Sequence, residues 1–177
     1  MLGDTTLNWD LSAQPDTIEL KAQVFPCYPG EDGRNAIQNV TWKSSSPKVA
    51  DFEADGVLKI KKTGSTTITV TAADGSNQKV TFKLNVVKTV TGLQIVDQKV
   101  ESGKTLNLAQ KITVTPADAT NKKLTWSITG GDAWATLTAT GSFRAKKVTA
   151  EQRVEVTVRP QDGGPCPPVT FTVTIIP

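Results

Sequence analysis

The run Val40-Thr41-Trp42-Lys43-Ser44 has a counterpart at Leu124-Thr125-Trp126-Ser127-Ile128, and the likeness extends to either side of both tryptophans. Downstream, Asp51-Phe52-Glu53-Ala54-Asp55-Gly56-Val57-Leu58 answers to Thr136-Leu137-Thr138-Ala139-Thr140-Gly141-Ser142-Phe143, which aligns Gly56 with Gly141. Ile68-Thr69-Val70-Thr71 then pairs with Val154-Glu155-Val156-Thr157-Val158, and Val80-Thr81-Phe82-Lys83-Leu84 with Val169-Thr170-Phe171-Thr172-Val173. Upstream, Val24-Phe25-Pro26 matches Val114-Thr115-Pro116. The spacing between partners widens along the chain, so loops changed length while the apolar segments kept their order, as two copies of one folding unit would show. A chain that contains its own copy builds two similar cores rather than one large one. The boundary falls near Val87-Lys88, dividing the chain into domains 1–87 and 88–177. Asn85-Val86-Val87 runs into Thr89-Val90-Thr91 with no Gly or Ser spacer, which predicts a short, stiff joint and an elongated rod.

Within each copy the segments read as strands. Thr67-Ile68-Thr69-Val70-Thr71 and Val80-Thr81-Phe82-Lys83-Leu84 alternate apolar and polar residues with period two, giving one buried and one wet face. Asp55-Gly56, Gly141, Asp74-Gly75 and Asp162-Gly163 supply positive-φ hairpin turns between such runs. Ten prolines and thirteen glycines at short intervals fit many brief strands, and about seven fit in each half. This is an all-β pattern: two tandem immunoglobulin-like β-sandwich domains, with Trp42, Trp126, Phe82 and Phe171 placed to fill the cores between sheets. Antibody-type cysteine partners for the tryptophans are missing, so each core holds without a disulfide.

Those residues resemble the bacterial immunoglobulin-like domains of group 2, whose pattern is a proline-ended strand, a V-T-W-S-S strand, an S-V-A strand, a D-x-x-G-V turn and a G-T-A-T-I-T-V-T strand. The first copy follows it at Pro26, at Val40-Thr41-Trp42-Lys43-Ser44-Ser45, at Ser46-Pro47-Lys48-Val49-Ala50, at Asp55-Gly56-Val57 and from Gly64 to Thr71. The second follows it at Thr115-Pro116 and Leu124-Thr125-Trp126-Ser127, but carries Thr149-Ala150-Glu151-Gln152-Arg153 in place of the glycine-led strand start. The resemblance implies a spacer or contact surface, as on bacterial surface proteins, adhesins, large secreted enzymes and tailed-phage particles. A fold of this kind does not choose among those settings.

The residues themselves exclude most chemistry. There is no histidine, so Ser-His and Cys-His nucleophile pairs cannot be built, and Cys27 and Cys166 lie in different copies. A disulfide would have to join the halves; two lone thiols in proline-rich loops is the alternative. Asp51-x-Glu53-x-Asp55-Gly56 copies the opening of a calcium loop, but Lys62 stands where the bidentate glutamate belongs. No cofactor, metal or catalytic residue is expected. The net charge of +3 comes from lysines set singly on strands, which are solvated faces rather than a phosphate-tracking block, so no nucleic-acid partner is expected. No apolar run is long enough to insert in a membrane.

Trp9, Tyr28 and Trp134 are candidate aromatic contacts for a glycan or a protein partner. Trp134 aligns with the strand residue Val49 and reads as core, which leaves Tyr28, in the long loop peculiar to the first copy, as the candidate partner contact. That loop and the atypical opening strand mark residues 1–87 as the anchoring half. The partner is expected to be a capsid, tail or cell-surface protein, with weak glycan contact besides. An initiator-type Met1 with neither a secretory leader nor a sorting tail favours a phage virion component (a head decoration, fibre or tail-surface protein) at the virion surface. The alternative is a piece of a bacterial cell-surface adhesin or secreted multidomain protein.

Overall fold

The computed structural model describes residues 5–24 and 39–177, and the chain divides into two compact units, Met1–Val87 and Lys88–Pro177. The first carries β1 (Thr6–Asp10), β2 (Thr17–Glu19), β3 (Val40–Ser44), β4 (Ala50–Ala54), β5 (Val57–Ile60), β6 (Gly64–Ala72) and β7 (Lys79–Val87). One sheet has the order β1-β7-β6-β3 and the other β2-β5-β4. The opening strand β1 lies parallel to the closing strand β7, while β6 pairs antiparallel with both β7 and β3. This is an immunoglobulin-like sandwich, in which a parallel first-to-last pair is possible because the rest of the domain supplies the crossover.

The second unit carries β8 (Gly92–Gln94), β9 (Gln98–Glu101), β10 (Thr105–Asn107), β11 (Thr113–Thr115), β12 (Leu124–Gly130), β13 (Ala135–Leu137), β14 (Ser142–Ala145), β15 (Gln152–Pro160) and β16 (Val169–Ile176). Its sheets β9-β16-β15-β12 and β10-β14-β13 repeat those of the first unit strand for strand, again with a parallel first-to-last pair, β9 with β16. The two further strands, β8 and β11, pair with each other. Their counterpart positions in the first copy, at the chain start and at Val24-Phe25-Pro26, fall at or beyond the edge of the described residues.

Period-two alternation produces the cores. In β15 the fully buried Val154, Val156 and Val158 alternate with Arg153, Glu155 and Thr157, and β16 turns Phe171, Val173 and Ile175 to the same interior. In the first unit Ile68, Leu84 and Val86 do the same work with Leu58 and Ile60 from the facing sheet.

The register matches the copies residue by residue and exposes one paired exchange. Trp42 lies beside Val70 and Trp126 beside Val158, so Thr66 answers to Val154 and Ser44 to Ile128. In the first unit the buried Ser44 and Thr66 hydroxyls share a 2.9 Å hydrogen bond, and Thr66 Oγ1 also accepts from the Ser46 N–H at 3.0 Å. The second unit fills both positions with hydrocarbon. Polar groups in a core must be satisfied together or removed together. Thr66→Val should therefore cost about 1–3 kcal/mol and Ser44→Ala a similar amount, with the double substitution costing less than their sum. Denaturant unfolding of the four full-length variants checks this; strictly additive costs would mean the hydroxyls act independently.

Candidate functional site

Most residues singled out in the sequence serve the interiors of the sandwiches. Trp126 (8% exposed) and Phe171 (5%) are buried in the second core. Trp42 and Phe82 are half-buried against the first, where the Trp42 ring lies 5.5 Å from that of Phe52 and its Nε1–H donates to Asp55 Oδ1 at 2.7 Å. Gly56 and Gly141 occupy the hairpin turns before β5 and β14 with φ of 71° and 82°. Trp9 is half-buried against the first core, and its Nε1–H donates to Pro15 O at 2.8 Å. Tyr28 and Cys27 lie outside the described residues. The acidic run is likewise committed. Asp55 receives the Trp42 indole, Asp51 pairs with Lys61 at 3.1 Å, and among the described residues no three acidic or thiol side chains gather as a metal site would require.

Cys166 is a free, buried thiol in the loop between β15 and β16. Asp162 in the same loop accepts the N–H groups of Val90 and Gly164 and so ties the loop to the start of the unit. Burial, with the Asp162 carboxylate second, pushes the thiol above its ordinary range. A raised pKa leaves less thiolate at any given pH, which is the reverse of what a nucleophile needs. Alkylation of Cys166 by iodoacetamide at mildly alkaline pH should be at least ~10-fold slower in the native chain than in denaturant, as read by mass spectrometry of its peptide; equal rates would mean an open, reactive thiol.

Trp134 departs from the sequence reading. It takes the backbone place of Val49: Lys146 N–H donates to Trp134 O at 2.8 Å, as Lys61 N–H does to Val49 O at 2.8 Å. Val49 is buried, whereas Trp134 stands 39% exposed. The cause is the residue across the core. In the first unit Gly64 makes the room, since a Cβ there would come within 3.0 Å of Val49 Cγ2. Gly64 lies opposite Val86 and Gln152 opposite Ile175, so the second unit has a glutamine where the glycine was. An indole cannot enter that space, and the 3₁₀ turn Asp132–Trp134 carries it outward.

The outer face next to Trp134 is where the copies differ most in charge. In the first unit Lys59 on β5 and Lys61 just after it are each neutralised: Lys59 by Asp16 at 2.7 Å and Lys61 by Asp51 at 3.1 Å. The Lys59 ammonium holds the Asp16 carboxyl below the usual carboxylate range, and Asp16 in turn raises Lys59. The second unit keeps the cations, with Arg144 on β14 and Lys146 just after it at the same places, but has Lys104 where Asp16 stood and Thr136 where Asp51 stood. Neither Arg144 nor Lys146 has a carboxylate partner among the described residues. Lys146 Nζ donates to Ala133 O at 2.8 Å instead. Residues 88–177 hold eleven Lys and Arg against seven Asp and Glu, while residues 1–87 hold nine against ten.

Residues 38–74, spanning β3 to β6, match the family described as the intimin immunoglobulin-like domain. Among solved structures, extracellular domains 3–5 of Drosophila OTK share the fold over 97% of this chain and 59% of that one, with 16% identity and a TM-score of 0.51. Chicken VE-cadherin domains EC1-2 align over 99% and 98% of the two chains at 14% identity and a TM-score of 0.41. A GH10 xylanase from termite gut that contains a bacterial Ig-like domain aligns over 45% of this chain and 18% of its own, at 17% identity and a TM-score of 0.35. No curated protein sequence matches the chain. The fold is thus that of tandem immunoglobulin-like domains, with the family match confined to residues 38–74 of the first unit.

Proposed function

We propose that this tandem is a non-enzymatic module of a bacterial cell-surface adhesin, in which the sandwiches act as stalk and contact surface. The observation that carries this reading is the match of residues 38–74 to the intimin immunoglobulin-like domain. The chemistry of the side chains supports it. The chain lacks histidine, its described thiol is buried with a raised pKa, and the carboxylates Asp51 and Asp55 are engaged by Lys61 and Trp42. The polar faces of the sheets, Thr- and Lys-rich, suit a surface bathed in water and open to a protein partner. Among the described residues no helix is long and apolar enough to cross a membrane.

The narrower alternative is a virion component, which differs in the particle that carries the chain rather than in what the domains do. An antibody raised against the recombinant protein, blotted against washed cell envelopes and density-banded phage particles of the source culture, separates the two. Signal in the envelopes is the expected result. A stoichiometric band on the particles, with none in the envelopes, would replace the adhesin reading with the virion one.

A further inference from the structure

The outer face of the small sheet in the second unit has a register that sets its side chains in three rows. Asn107, Ser142 and Thr138 form one row, Thr105, Arg144 and Thr136 the next, and Gly103, Lys146 and Trp134 the last. Rows on one face of a strand lie about 7 Å apart and neighbouring strands about 4.8 Å. No Asp or Glu occupies any of these positions. The equivalent face of the first unit carries Asp16 and Asp51 against the same two cations, and seats Val49 in the core where Trp134 turns outward. Three departures between two copies of one scaffold therefore bear on this face: at its edge a carboxylate becomes Lys104, within the middle row a carboxylate becomes Thr136, and a buried aliphatic becomes an exposed indole.

From this convergence we infer that the β10-β14-β13 face of the second unit binds an acidic polysaccharide through its carboxylate groups. This inference rests on the surface-module reading and names the ligand class of that module. The two unpaired cations call for an anion, and the planar Arg144 guanidinium matches a carboxylate in two-point geometry. The exposed Trp134 ring offers an apolar plane beside the charges, which a sugar ring can cover and a phosphate or a bare carboxylate cannot. The hydroxyls of Thr105, Thr136 and Ser142 and the amide of Asn107 sit in the same rows as donors and acceptors for sugar hydroxyls. Gly103, in the turn before β10 with φ of 76°, adds no side chain to this edge of the face; a Cβ there would meet Lys147 Cγ at 3.7 Å.

The test uses the full chain and a galacturonate oligomer, titrated calorimetrically at low and physiological salt, with poly-glutamate and anionic phospholipid vesicles as matched anions. The expected result is binding to the galacturonate that weakens with salt, exceeds that to poly-glutamate, and falls by about tenfold or more in Trp134→Ala and in Arg144→Gln. A second variant, Lys104→Asp with Thr136→Asp, restores the carboxylates of the first unit on exposed positions and should abolish binding while the thermal unfolding profile stays unchanged. Absence of galacturonate binding would overturn the inference, as would equal binding to poly-glutamate, preferential binding to the vesicles, or binding that the Asp variant retains. None of these outcomes touches the envelope blot, so the ligand and the surface-module reading fail separately.

Discussion

Truncating Trp126 to alanine should destabilise the second unit by about 3–5 kcal/mol, the range for removing a large aromatic side chain from a core. The indole lies against Val158 on β15 and beneath the turn before β14, where Gly141 leaves room for it: a Cβ at that glycine would come within 2.8 Å of the ring. No neighbouring chain can fill the void, because the valines of β15 are short and held by ladders on both sides. Trp42→Ala should cost less, since Trp42 is only half-buried and part of its surface already faces water. A tandem need not unfold in one step, so native-state hydrogen exchange is the suitable measure. The amides of β12, β15 and β16 should lose several kcal/mol of protection in the Trp126 variant, and those of β3, β6 and β7 a smaller amount in the Trp42 variant. Equal losses would mean the two tryptophans bear the same load despite their different burial.

The repeat made the topology legible, and for a physical reason. Period-two runs such as Ile68 to Thr71 survive loop changes because their inward residues are held by both sheets, and the hairpin glycines survive because L side chains rarely adopt their φ. What stayed hidden depends on residues that meet across the core from distant points of the sequence. Trp134 aligned correctly with Val49, yet its orientation is decided by Gln152 standing where Gly64 stands in the first unit, a relation visible only through the register. The polar pair Ser44 and Thr66 is of the same kind, since each residue alone looks like an ordinary strand position. The charge contrast between the small-sheet faces is not legible in lysines taken one at a time. Lys59 and Arg144 occupy the same place, and they differ through their partners Asp16 and Lys104 on another strand. The strands β8 and β11 are too short for periodicity to register.

Alanine at the two turn glycines should give unequal losses, and the inequality discriminates between causes. At both positions the left-handed conformation alone costs about 1–2 kcal/mol for a residue with a Cβ. At Gly56 the new carbon would come within 2.5 Å of Leu20 O, a backbone atom in the segment whose N–H donates to Gly56 O at 2.8 Å. Relief requires the chain after β2 to move away from the turn, which breaks that hydrogen bond and loosens the pairing of β2 with β5. A total of about 3–4 kcal/mol is expected for Gly56→Ala, from conformational strain, a lost bond and local overpacking together. At Gly141 the clash is with the Trp126 ring, a side chain that a smaller residue can replace. Gly141→Ala should therefore cost about 2–3 kcal/mol on its own, and Gly141→Ala combined with Trp126→Phe should cost less than the sum of the two single changes by about 1 kcal/mol. A double-mutant cycle read by hydrogen exchange in β14 and β15 measures that coupling. Full additivity would show that the glycine is required for its φ alone and that its contact with the tryptophan carries no energy.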